Sequence, residues 1–562
     1  MHVFWLATLA TNLVTGNGFG FAVVSPDSAT ITKFYAHPYS FARPDPKDPL
    51  SEGIATANLI KSIRFPCGSA TYEQDSHVIR VHCGTKSGTV FMPFGFPYRA
   101  LIVGWDGHLD VQLADTTLLV IPFASGTAYI AVDSGSDPAQ VAEAFTRWRG
   151  DLSAEALARR EIAELERWRV AAPRNLADGE RHLWRQSEVM LRMAQSREPN
   201  RPGRYGNGLI VASLPDGVWF TPWVRDMTWA AMALSRMGHR AEARAALLAF
   251  FNARPTGKMR QAVKGANYQV SVVRYFGDGS EEPFFTMEGS TNIEFDDWGE
   301  VLWLLGEYMR QYHDTALLAE PTGCGPLYQC ARGLIAAPLI GNTEPYDGGL
   351  ILDEDTSIWE EHQKDKKHFA FSTGMALVGL EHFASVAQMA GDTATWRTML
   401  DTVAMLQKGF AAAFIRGGTL HGTLEQGEKN DIDGALLALI HLGVVTDTAI
   451  IQSTVRRMEL LKVASGGYRR VRSNYTDPAI FEYWYERQEF LFVDFSLAEV
   501  EHRSDIVRRI VDKAAADHNM IPEMYVALPC KLFPGKIGDP TGARPMVGYG
   551  AGTYILDVLS GQ

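Results

Sequence analysis

From about residue 179 to the C-terminus the sequence repeats one texture. Twelve stretches place apolar residues at helical spacing, roughly 179–197, 226–238, 240–253, 294–312, 324–337, 369–391, 393–415, 431–442, 446–462, 487–500, 503–518 and 546–559. Short and long connections tend to alternate between them. Gly238 ends one helix before a tight turn, Gly391-Asp392 separates two more, and Gly443 closes another. The connections at 198–225, 254–293, 338–368, 416–430, 463–486 and 519–545 are longer than compact folds usually keep without a use for them. Six consecutive helix pairs, with most long loops at one end, predict an (α/α)6 barrel whose loop end forms a funnel-shaped pocket. An α-solenoid also pairs helices, but no repeat of fixed period is present.

The first 145 residues read differently. F-G-F-A-V-V, A-T-I-T-K-F-Y, H-V-I-R-V-H, G-T-V-F-M-P-F, D-V-Q-L and T-T-L-L-V-I-P-F are short, rich in β-branched and aromatic residues, and separated by turn formers. They predict an antiparallel β-sandwich. From Asp137 through Trp168 the chain turns Ala-rich and charged with helical period. The expected order is a sandwich over 1–145, a helical linker over 146–177 and the barrel over 178–562.

Several function classes are disfavoured. A net charge of −12 argues against nucleic acid and anionic membranes as partners. No run reaches the length of a membrane span. The apolar N-terminus lacks a basic leader and runs directly into T-G-N-G-F-G-F, so it reads as a first strand rather than a signal. Five cysteines are too few and too scattered for a disulfide framework, and their odd count fits a reducing, cytoplasmic compartment. Histidines form no H-x-x-H, and no D-x-D-x-D-G loop occurs, so neither a metal nor a cofactor is expected. Asp353, Glu354 and Asp355 read as a solvated acidic loop rather than a cation site. G-N-G-F-G-F precedes no helix, which excludes a dinucleotide site.

Three long loops carry chemistry. In W-F-T-P-W-V-R-D, Arg225 and Asp226 stand before an apolar helix, walled by Trp219, Phe220 and Trp223. Asp226 can cap that helix. Equally, an Arg-Asp pair beside aromatic faces suits the hydroxyls and apolar face of a sugar. In S-I-W-E-E, Trp359 and Glu361 flank Glu360. An apolar neighbour and a like charge both favour the protonated carboxyl that a general acid needs. In M-I-P-E-M-Y, Glu523 follows Pro522 between apolar residues. Two carboxyls in facing loops, with an Arg-Asp pair and tryptophans, are the requirements of glycoside hydrolysis. A glycoside phosphorylase, in which phosphate replaces the base, and a non-catalytic sugar-binding protein remain as alternatives.

These segments resemble glycoside hydrolase family 15, the glucoamylase-like family, in its bacterial form. T-G-N-G-F-G-F-A-V-V-S-P-D-S-A-T-I-T-K-F-Y-A-H-P is similar to the family's opening strand pair. N-G-L-I-V-A-S-L-P-D-G-V-W-F-T-P-W-V-R-D is similar to its substrate loop. N-I-E-F-D-D-W-G-E, S-I-W-E-E followed by H-F-A-F-S, and M-I-P-E-M-Y resemble three further motifs in the same order. The resemblance implies a β-sandwich followed by an (α/α)6 barrel, and inverting hydrolysis releasing a glucosyl unit from the non-reducing end of an α-glucoside. By position it implies Glu360 as general acid and Glu523 as general base. Arg225 and Asp226 would hold the terminal sugar, with Trp223, Trp219, Trp359 and Glu361 around it. The sequence departs from the family at Ser372-Thr373, at M-E-G-S-T-N over 287–292 and at Met524. These departures leave the acid and base in place and bear on the aglycone. Glucoamylase, isomaltose- or dextran-type and trehalase-like specificities stay open.

Overall fold

The computed structural model describes residues 12–36, 58–114, 118–133, 135–215, 219, 221–282, 292–360, 366–425, 431–472 and 475–561. Its N-terminal part holds two antiparallel sheets. The first has the order β1 (Leu13–Gly16), β2 (Gly20–Ser25), β3 (Thr30–Ala36), β4 (Ile60–Arg64), β9 (Asp110–Leu113). The second runs β10 (Leu119–Phe123), β11 (Gly126–Ala131), β8 (Arg99–Gly104), β7 (Lys86–Phe91), β6 (Ile79–Cys83), β5 (Ser69–Tyr72).

The inner faces meet in one core. Phe21, Val24, Ile31 and Ile63 from the first sheet join Ile79, Val81, Val90, Leu101 and Val103 from the second. The outer face of the second sheet is buried too. Phe91, Ala100, Ile102, Ala128 and Ile130 pack on Val141, Phe145, Leu157, Ala158 and Ile162 from two helices, Pro138–Arg149 and Ala154–Trp168. Asp137 caps the first of these through the Ala139 N–H (2.9 Å), and Ser153 caps the second through the Ala156 N–H (3.2 Å). The first helix begins at Pro138, so the division drawn at 145/146 falls inside it. These helices cover a sheet face as well as connecting the two parts.

The rest of the described chain is mainly helical. Six helical segments form an inner ring: Val224–Met237, Asp296–Tyr312, Ala370–Met389, Leu436–His441, Leu491–Glu501, and the π-helical Val547–Gly552 continued by Thr553–Ser560. Each packs on the next, and the last packs on the first, which closes an (α/α)6 barrel. The outer helices include Asp178–Ala194, Arg240–Asn252, Thr393–Phe414, Thr448–Met458 and Ser504–Ala515. The two layers differ as burial demands. Ala370–Met389 is apolar nearly all round, whereas Ser504–Ala515 turns only Ile506, Val507, Ile510, Val511 and Ala514 inward. Gly238 ends the first inner helix in the left-handed region (φ 108°), and Asp392 starts an outer helix by accepting the Thr395 N–H at 3.0 Å.

Two expectations need correction. Cys67–Cys83 and Cys324–Cys330 are disulfides with Cα separations of 5.3 and 6.0 Å, and Cys530 is left free. The pairings depend on chain reversals that cysteine spacing alone does not reveal, and they remove the support that the cysteine count lent to a reducing compartment. Asp355 is fully buried rather than solvated: it accepts the Phe295 N–H (3.1 Å) and the Ser372 hydroxyl (2.6 Å). Among the described residues no helix is long and apolar enough to cross a membrane.

The seam that closes the ring needs a residue without a side chain. A Cβ on Gly548 would stand 2.1 Å from the Asp226 carbonyl oxygen. Gly548→Ala is therefore expected to cost about 1–3 kcal/mol through overpacking. A melting temperature equal to that of the parent protein would contradict this.

Candidate active site

The start of the first inner helix and the long loops entering the others meet at one end of the barrel. Trp229 of the first inner helix touches Phe492 of the fifth (ring centroids 5.2 Å), and Phe492 touches Tyr549 of the sixth (4.4 Å). Helix N-termini carry partial positive charge, which favours carboxylates placed beside them.

Arg225 stands in the first turn of Val224–Met237. The turn is anchored by the Val224 N–H to the Val273 carbonyl (3.0 Å) and the Tyr275 N–H to the Pro222 carbonyl (3.0 Å). Trp223 lies beneath the Arg274 guanidinium at 4.5 Å, and Arg274 is paired with Glu282 at 2.9 Å. Arg225 is buried. Its Nη1 donates to Glu294 Oε2 and its Nη2 to Glu360 Oε1, while its Nε lies 3.9 Å from Asp226 Oδ2. Burial works against the Arg225 charge, but Glu294, Glu360 and Asp226 hold its pKa well above the ordinary value. Asp226 moves the other way. Burial pushes its carboxyl up to about 7, against the pull of Arg225 and with the push of Glu360 and Glu523. Asp226 Oδ1, Trp223 Nε1 and the Tyr549 hydroxyl are buried polar atoms without a partner among the described residues. Such groups are what a polyhydroxylated ligand would satisfy.

Glu360 lies in a connection laced to the segment before the second inner helix. The Thr356 N–H donates to the Ile293 carbonyl (2.8 Å), and the Asp355 N–H to the Lys367 carbonyl (3.0 Å). Ser357 and Glu360 both have positive φ (52° and 50°), a costly conformation for residues with side chains. This bend sets the Glu360 carboxyl against Arg225 while leaving its side chain 24% exposed. Trp359 is buried behind it. Its Nε1 donates to Asp433 at 2.7 Å, and its ring meets Phe490 and Phe492. The sequence leads one to expect an apolar wall and a like charge at Glu360; Trp359 supplies the wall, and the structure adds a cation, Arg225. Glu361 and Phe220 lie outside the described residues.

Glu523 is held on every side. Its N–H donates to the Ala543 carbonyl (2.8 Å), and its carbonyl accepts the Leu491 N–H (3.2 Å). Oε2 accepts Trp219 Nε1 (3.1 Å) and the Ala543 N–H (2.9 Å), and Oε1 accepts the Tyr485 hydroxyl. Trp219 thus serves Glu523 as well as facing Trp223 edge-on at 5.6 Å. The charges of Glu360 and Glu523 both reach Asp226 and Tyr485, so the two carboxyls stand about the same buried groups.

Sequence reasoning missed Glu294, Tyr485, Arg470 and Asp433. Arg470 lies over Trp359 (5.5 Å) and Tyr485 (4.8 Å) and is paired with Glu486 (2.9 Å). Arg470 and Tyr485 fall in the long connection 463–486, and its length was the only signal available. Away from the pocket, Glu354, His368 and Glu425 bring one ligand atom each within 4.8 Å of one another, a grouping that would admit a cation. His368 already bridges Glu425 (2.8 Å) and Glu344 (3.1 Å) there. A 390 Å³ cavity in the sandwich, lined by Trp105, His108, Phe123 and Tyr129, holds no carboxyl pair.

Residues 188–459 match the family model described as glycosyl hydrolases family 15. These residues belong to glycosyl hydrolase family 15. The matched stretch contains Arg225, Asp226, Glu294 and Glu360 and stops short of Glu523. The match supports a glycoside hydrolase reading of the matched residues. No curated protein matches it. Among solved structures, a bacterial glucoamylase complexed with acarbose is similar over 98% of this chain and 94% of that one (TM-score 0.63, 12% identity). The glucoamylase of Saccharomycopsis fibuligera is similar over 70% of this chain and 97% of that one (TM-score 0.50, 12% identity). At such identities the likeness concerns the fold, and the sandwich-plus-barrel order is common to this chain and the bacterial enzyme.

A hydrogen bond to a charged acceptor contributes about 1.5–3 kcal/mol, so Tyr485→Phe is expected to lower kcat roughly ten- to a hundredfold. KM should change less. An unchanged kcat would show that Tyr485 does not hold the carboxylate in place.

Proposed function

We propose that the protein is an inverting, exo-acting glycosidase that releases a glucosyl unit from the non-reducing end of an α-glucoside. Glu360 protonates the leaving oxygen, and Glu523 activates water on the opposite face of the sugar. The observation that carries this reading is the hydrogen bonding of Glu523. Among the described residues its Oε2 accepts two donors and its Oε1 one, from Trp219, Ala543 and Tyr485. That leaves an acceptor position on Oε1 that can take a proton from water. Surroundings made only of donors suit a group that must begin the reaction as a carboxylate.

Arg225 and Asp226 would hold the terminal sugar. Asp226 Oδ1 has no protein partner among the described residues and can accept a sugar hydroxyl. For this to happen Arg225 releases Glu360 or shares it, which frees the acid to approach the glycosidic oxygen. Trp223 and Trp219 wall the pocket and Trp359 backs it. Glu361 is proposed to line it on the basis of the motif alone. No cofactor or metal enters the mechanism.

Glu360→Gln and Glu523→Gln should each lower turnover by about 10² to 10⁴, the usual contribution of general acid or base catalysis. Mild loss at both positions would remove the assignment. Maltose, isomaltose, trehalose, kojibiose, nigerose and soluble starch should be screened by NMR. Cleavage should proceed without phosphate, and the β-anomer should appear first from an α-linked substrate. Initial α-anomer would overturn inversion, and a phosphate requirement would point to a phosphorylase.

A further inference from the structure

We infer that Glu294 is a positioning residue for the proton donor: by occupying one edge of the Arg225 guanidinium it limits how firmly Arg225 holds the charged form of Glu360, and so sets the pH at which activity falls on the alkaline side. The inference rests on the assignment of Glu360 as general acid.

The geometry is a relay of charges. Arg225 Nη1 donates to Glu294 and Nη2 to Glu360. Glu294 is fully buried and cannot turn away, because its Oε1 accepts Asn292 Nδ2 at 2.7 Å and its backbone N–H is tied to the Val272 carbonyl at 3.0 Å. Glu360 is partly exposed, with 24% of its side chain open. Of the two carboxyls on Arg225, one is buried and held by a second hydrogen bond, and the other is partly open.

The chemistry gives the fixed one a task. An arginine beside a carboxylate favours its charged form, yet a general acid must enter the reaction protonated. Arg225 alone would oppose the function proposed for Glu360. A second carboxylate on the same guanidinium works against that opposition in two ways. It takes one of the two donor edges, and, although burial pushes the Glu294 carboxyl well above its ordinary range, Arg225 pulls it back toward the charged form, whose negative charge repels a charge on Glu360 across a poorly solvated gap. The other groups facing Arg225 are Asp226 and Tyr549, with Asp296, Asp297 and Glu300 deeper in the barrel. Glu523 stands across the pocket, and Arg470 lies over Trp359. Of these, Asp297 also feels the Glu294 charge; Glu294→Gln keeps every one of them in place, preserves the volume and removes that charge.

The test is the pH dependence of kcat/KM on the α-glucoside that the parent enzyme cleaves fastest, for the parent, Glu294→Gln and Glu294→Asp. The alkaline limb of Glu294→Gln should move to lower pH by about one unit, a tenfold change in proton affinity. Its rate on the acidic side of the limb should stay within about tenfold of the parent. Glu294→Asp, with its charge drawn back by one methylene, should move the limb the same way by less. If Glu294→Gln does not fold, the aspartate variant carries the test. A uniform loss of rate with the limb in place, or a limb moved to higher pH, would overturn the inference and leave Glu294 a structural residue. Glu360→Gln separates this failure from failure of the functional assignment. If that variant keeps the parent's alkaline limb, Glu360 is not the acid. If it loses the limb while both Glu294 variants leave it in place, only the present inference falls.

Discussion

One buried cation organises the pocket. The Arg225 guanidinium meets Glu294 and Glu360 through separate edges, with Asp226 beside its Nε. Three segments converge on it: the first turn of an inner helix, the segment entering the next, and the loop that bends at Ser357 and Glu360. A lysine could not replace it, because a single ammonium offers no planar fork to address two carboxyls at fixed angles. Loss of the cation would leave buried acids uncompensated, which is far more costly than the net contribution of the intact pairs.

The two proposed catalytic carboxyls are made unlike by their surroundings rather than by their identity. Glu523 is wrapped in neutral donors and fixed by backbone hydrogen bonds on both sides. Glu360 faces a shared cation from a loop with two left-handed residues. The positive-φ residues lie on the segment of the proposed acid, and the dense hydrogen bonding on the proposed base.

Much of the barrel is legible in the sequence because helical period, Gly238 and Gly391-Asp392 are local signals that tertiary packing does not overrule. The sandwich is less legible. Strand β8, R-A-L-I-V-G, goes unmarked because it is buried on both faces and shows no alternation: Leu101 and Val103 face one core, Ala100 and Ile102 the other. In the pocket, Arg225, Asp226, Glu360 and Glu523 stand out because an Arg-Asp pair, a Trp-Glu-Glu run and a proline-led acid are unusual as strings. Glu294 and Tyr485 do not stand out. One is an acid before a helix and the other an aromatic among aromatics, and only the meeting of distant loops gives either a partner.

The core that fills the sandwich does not stop at its edge. Leu13 and Val14 belong to the same continuous apolar mass as Trp184, Leu191 and Met227 of the barrel. Arg197 reaches back to the carbonyls of Asn17 (3.3 Å) and Phe94 (2.8 Å), and Arg99 is bound to Glu198. The β-sheets therefore act as part of the wall on which the outer helix Asp178–Ala194 rests, not as an attachment to a finished enzyme. Severing the chain ahead of that helix would uncover apolar surface on both pieces.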